Sequence, residues 1–135
     1  MVIGVAGLVA TLGGVILGYK LQEWAESDRR LRDACAKVIA LALEACDHMI
    51  MEEVARSGGP PADPLRPEYR SDQYYAIASV GLASKTLAKA AEILGDKIKE
   101  AIVAQASADA GERDEGRQMA MEAIGAFRAA VAREV

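Results

Sequence analysis

Residues 31–50 read LRDACAKVIALALEACDHMI, and whether this stretch is a helix with one buried side decides the fold. Leu31, Ala34, Cys35, Val38, Leu41, Ala42, Ala45 and Met49 recur at intervals of three and four, the spacing that returns side chains to one face of a helix. Ile39, Leu43, Cys46 and Ile50 widen the apolar arc to about 200°, more than a single neighbour covers. The stretch therefore predicts a central helix packed against two others. No strong breaker occurs before Arg56, so the helix is expected over about 23–56 and to continue from the apolar segment that precedes it.

Towards the C-terminus, residues 57–70 read SGGPPADPLRPEYR and hold all four prolines of the chain, which end the first helix and forbid a new one until they are past. A second helical region is expected over 71–107. Gly81 can stop a helix and Ser84 can cap the next, so a kink or break is expected near Ala83. Beyond it Leu87, Ala90, Ala91, Leu94, Ile98, Ala101 and Ile102 form a narrow Ala-rich stripe suited to close helix packing. A turn at 107–111 leads to Glu112, Asp114 and Glu115, placed where the positive end of a helix dipole favours acid. The last helix, about 112–134, is expected to bury Met119, Ala120, Ala123, Ile124, Phe127 and Val131. The expected fold is all-α, an antiparallel three-helix bundle with its second helix kinked or broken. Aromatic residues make up 4% of the chain, so the core must be filled by alanine and aliphatic side chains, which suits closely approaching helices better than sheets.

Towards the N-terminus, Met1 to Tyr19 reads MVIGVAGLVATLGGVILGY without one charged side chain. As a helix this run is about 29 Å long, close to the roughly 30 Å hydrocarbon thickness of a bilayer, and residues 1–22 are read as a transmembrane helix. Nothing basic precedes the run, as an export signal would require. Lys20, Arg29, Arg30, Arg32 and Lys37 follow it, so the positive-inside rule predicts a single-pass protein of the inner (plasma) membrane, N-terminus outside and residues 23–135 cytoplasmic. Tyr19, Lys20 and Trp24 then anchor the inner interface. Gly7, Thr11, Gly14 and Gly18 fall within about 60° of one another on the helix, a smooth stripe of the kind that lets membrane helices approach closely. The partners expected are the lipid bilayer and a neighbouring helix, from this protein itself or another membrane protein.

The order of these pieces is similar to that of a loosely defined set of small bacterial proteins, common in actinobacteria. These have one N-terminal membrane helix and a short antiparallel helical domain. The residues carrying the resemblance are Arg29, Arg30 and Arg32 after the anchor, GLASKTLAKAAEIL at 81–94, and the closing AIGAFRAAVAREV at 123–135. Lys85 stands where such proteins usually have proline. The resemblance implies a layout and carries over no catalytic residue.

The 135 residues amount to one domain's worth of chain. A net charge of -4 argues against a nucleic-acid partner, which would require a basic face. Cys35 and Cys46, eleven residues apart on one helix, are separated by about 16 Å of rise, too far for the roughly 7 Å that a disulfide allows. They are read as buried structural thiols in a reducing setting. Glu44, His48 and Glu52 descend one side of the helix at intervals of four. They lie at the edge of the apolar arc and lack the paired Glu-x-x-His motifs of a di-iron bundle, so they are read as a solvated face. No phosphate-binding glycine loop and no Ser/His/acid set is legible, and no cofactor, metal or small-molecule substrate is expected. Tyr69, Tyr74 and Tyr75 form a candidate partner surface. The function expected is non-enzymatic: an anchor, scaffold or accessory subunit working through helix–helix contacts. An oligomerising membrane-active effector, holin-like or defensive, is the alternative class. A pilin-like filament subunit ranks below it, because Val5 stands where such helices carry an acid.

Overall fold

A computed structural model describes the backbone of residues 2–134 and the side chains of residues 26–134. Four helices and no strand occur among the described residues: α1 (Val2–Arg56), α2 (Tyr69–Ala83), α3 (Lys85–Gln105) and α4 (Ala110–Glu134). The fold is all-α. Contacts divide the chain into two units, Met1–Arg30 and Leu31–Val135. In the first, the described side chains are solvent-exposed and include an i,i+4 ion pair between Arg30 and Glu26 at 4.0 Å. Among the described residues no helix is long and apolar enough to cross a membrane. The crossing expected at 1–22, with Gly7, Thr11, Gly14, Gly18, Tyr19, Lys20 and Trp24, lies outside the described side chains and has no structural support.

The second unit holds the core. Cys35, Val38, Leu41, Ala42, Ala45, Cys46 and Met49 of α1 are buried, with Leu31 and Ala34 packed against them. Leu87, Ala91, Leu94, Ile98 and Ala101 come from α3, and Ala120, Ile124 and Phe127 from α4. From α2 come Tyr69, Ala76 and Val80. The three-four spacing in each helix is what places these residues together on one side.

Each helix end has a local cause. At the end of α1, Gly58 takes a φ of 95°, and the amides of Gly59 and Gly58 donate to the carbonyls of Val54 and Ala55 at 2.9 and 3.2 Å. This closes the last turn in a Schellman arrangement that requires a left-handed residue at position 58. Ser84 separates α2 from α3 with an extended backbone. Its amide donates to the Val80 carbonyl at 2.8 Å, and its hydroxyl accepts from the Leu87 amide at 3.2 Å. One residue thus ends one helix and caps the next, and Lys85 takes the first position of α3. Before α4, the Asp109 carboxylate accepts from the Gly111 amide at 2.9 Å, and Ser107 donates to Glu112 at 2.6 Å. Two helices start earlier than the sequence suggested, α2 at Tyr69 rather than 71 and α4 at Ala110 rather than 112. For α2 the reason is burial: Tyr69, at the first position after the loop, is 2% exposed, and its phenol donates to the Leu41 carbonyl of α1 at 2.9 Å. Burial pushes its pKa above the ordinary phenol range.

Candidate interaction surfaces

The ionisable side chains that the fold brings together are largely spent on holding it. At one end of the bundle Glu53 of α1 meets Arg113 and Arg117 of α4 and Gln105 of α3. Arg113 forms a short ion pair with it, Arg117 lies 2.9 Å away, and the Gln105 amide donates at 2.9 Å. Gln105 in turn accepts from Arg117 at 3.0 Å, and its carbonyl accepts from Arg56 at 2.9 Å. Arg113 and Gln105 are both buried. Hydrogen bonds from Arg113 first, then from Gln105 and Arg117, hold the Glu53 carboxyl down at about 2. A carboxyl lowered by folding stabilises the native state above its ordinary value near 4.5, and that contribution is lost as pH falls from there to about 2. The midpoint of urea unfolding is therefore expected to drop between pH 5 and pH 2. Glu53→Gln should flatten that part of the profile, and an unchanged slope in the variant would show that another carboxylate dominates.

A second cluster ties the Pro-rich loop to the bundle. Arg66 donates to both carboxylate oxygens of Glu44, at 2.5 and 3.0 Å, and to Asp72 at 3.2 Å. The Arg66 hydrogen bond holds Glu44 below the usual carboxylate range. The expected Glu44, His48, Glu52 face is thereby divided: Glu44 belongs to Arg66, while the His48 imidazole lies in close contact with the Glu52 carboxylate and is only 17% exposed. Among the described residues no group of His, Cys, Asp or Glu could hold a metal ion. Cys35 and Cys46 are buried free thiols, and burial pushes both above the ordinary thiol range, with Asp47 adding to the rise at Cys46.

The structure breaks up the expected tyrosine surface. Tyr69 is removed from it into the core because its ring fills space beside α1 and its hydroxyl finds a carbonyl there. Tyr69→Phe should destabilise the fold by about 1 kcal/mol, the net worth of one hydrogen bond, as read from denaturant unfolding; an unchanged midpoint would mean that the phenol contributes nothing. Tyr74 and Tyr75 stay outside, 72% and 69% exposed, with their rings edge to face at 5.9 Å.

Among the described residues of the second unit, two apolar surfaces face solvent besides the separate side chains of Leu82, Ile93 and Met121. The first is a flank of α1. The arc that was too wide for one neighbour is buried on one side, while Ile39 and Leu43 are half-buried and Ile50, Met51 and Val54 are exposed. The second is a groove of about 660 Å³ on the outer side of α2 and α3. Its floor includes Leu65, Ile77, Gly95 and Ile102, with Arg70, Tyr74, Glu92, Asp96 and Lys99 also lining it. A Cβ on Gly95 would meet Ile77, and Gly81 lies beside Ala88, so the two helices run antiparallel. Arg70 therefore shares one end of the groove with Lys99 and Ile102, and Glu92 lies towards the other. Neither the groove's charges nor Asp47 on α1 carried a sequence signal, since a lone charge on an amphipathic helix reads as part of the solvated face. No protein-family model, no curated protein and no solved structure matches this chain.

Proposed function

We propose that this is a non-enzymatic membrane-anchored protein whose helical domain binds protein through helix–helix contacts, acting as anchor, scaffold or accessory subunit. The observation that carries this reading is the exposed apolar flank of α1: Ile50, Met51 and Val54 are 51%, 46% and 41% exposed on a helix whose other side forms the core. Aliphatic side chains gathered on one flank gain free energy when a second surface removes them from water. The ionisable clusters around Glu53 and Arg66 pair internally, so they explain stability. The membrane part of the reading rests on the uncharged run at 1–19 and the basic residues after it, which favour a single pass through the plasma membrane with the helical domain on the cytoplasmic side.

Gentle detergent extraction of the full chain, followed by identification of what accompanies it, tests the reading. The expected result is recovery in the membrane fraction with a stoichiometric partner, either another protein or further copies of the chain. A strict monomer with nothing bound, or a chain recovered without membrane, would overturn it.

A further inference from the structure

The two uncovered surfaces complement each other in charge as well as in apolarity. On α1, Leu43, Asp47, Ile50, Met51 and Val54 follow one another at i, i+4, i+7, i+8 and i+11, within about 100° of arc. Asp47 is exposed at the middle of this patch and its side chain has no ion pair or hydrogen bond among the described residues. Docking such a patch onto a purely apolar surface would strip water from a carboxylate with nothing to replace it. A partner must therefore offer a cation set among apolar groups. The groove end supplies that arrangement: the side chains of Arg70 and Lys99 are likewise without a partner among the described residues, and Leu65, Ile77 and Ile102 line the groove with them. With Asp96 one turn from Lys99, that end carries one net positive charge against the one negative charge of Asp47. The dimensions also agree, since Leu43 to Val54 spans about 16 Å of helix and the α3 wall from Ala88 to Val103 about 22 Å.

We propose that the chain self-associates head to tail, the Asp47 patch of α1 in one copy docking into the Arg70–Lys99 end of the α2–α3 groove in the next. This rests on the reading of the domain as a helix–helix binding module and names its partner. Patch and groove are different surfaces of the same chain, so the contact is heterologous, and each copy added leaves one patch and one groove open.

The test is sedimentation velocity of the full chain in a mild nonionic detergent at low salt, comparing wild type, Asp47→Lys and Arg70→Glu. All three share the same N-terminal segment, so any association driven by that segment is common to them, and circular dichroism checks that the surface substitutions leave the helices intact. Wild type is expected to associate with rising concentration. Each variant alone should associate at least about tenfold more weakly, because like charges then meet across the contact. An equimolar mixture should recover, since the new lysine of one variant faces the new glutamate of the other while the wild-type patch and groove still match. A monomeric wild type, variants that associate as wild type does, or a mixture that fails to recover would each overturn the proposal. If wild type is monomeric yet a different protein accompanies it from the membrane, self-docking fails while the broader reading stands.

Discussion

Phe127→Ala is expected to destabilise the helical domain by about 3–5 kcal/mol, the range for deleting a buried aromatic ring. Phe127 is the only phenylalanine in the chain and is 2% exposed. Six of the other seventeen buried core residues are alanine: Ala42, Ala45, Ala76, Ala91, Ala101 and Ala120. Alanine has no side-chain rotamers with which to refill a void, so a core this rich in it relaxes less around a deleted ring. For a domain of this size such a loss is a large fraction of the total, roughly 5–15 kcal/mol. Denaturant unfolding of Phe127→Ala beside Phe127→Leu measures it, the leucine variant losing much less because it keeps most of the volume. An alanine variant that lost less than about 1 kcal/mol would mean that the ring does not close the core.

Gly116→Leu should be the next most damaging change, at about 1–3 kcal/mol by overpacking. Gly116 is buried at the crossing of α3 and α4, where a Cβ would stand 3.0 Å from the Ala104 methyl and 3.5 Å from the Ala101 Cα. Neither atom can rotate away, so a larger side chain must push the helices apart. Gly125 in the same helix provides the contrast, since a Cβ there meets nothing within 4 Å. Gly125→Ala should raise stability by about 0.5–1 kcal/mol through higher helix propensity and a less free unfolded chain. Thermal melts of the two variants should move in opposite directions, and a Gly116→Leu melt at or above the wild-type temperature would refute the close crossing.

Both predictions concern packing, which is the part of this molecule least visible in its sequence. Nothing distinguishes Gly116 from Gly125 as letters in an Ala-rich helix. The same holds for the polar contacts. Glu53 and Arg113 are sixty positions apart, and each read alone is an ordinary charge near a helix end. Tyr69, Tyr74 and Tyr75 are neighbours in sequence and read as one group, but the first turn of α2 sends Tyr69 inward while the other two face outward. The flank on α1 is legible in part. An apolar arc of about 200° is a property of periodicity, but it predicts cover by two neighbours, and only the structure shows that Ile50 at its edge, with Met51 and Val54 beyond it, stays exposed.

What the sequence determined by itself is therefore whatever depends on local rules. These are the helical period that selects Cys35, Val38, Ala42 and Met49 for burial, the prolines that bound the loop, the Ser84 cap that splits α2 from α3, and an excess of apolar surface on the first helix. Only the tertiary structure decided which distant groups meet: Glu53 with Arg113, Arg66 with Glu44, the Tyr69 hydroxyl with the Leu41 carbonyl, and an Arg70–Lys99 groove end on the outer side of α2 and α3. The physical reason is range. Backbone hydrogen bonds and helix periodicity act over three or four residues, whereas a salt bridge or a groove depends on how whole helices pack, which the core as a unit settles.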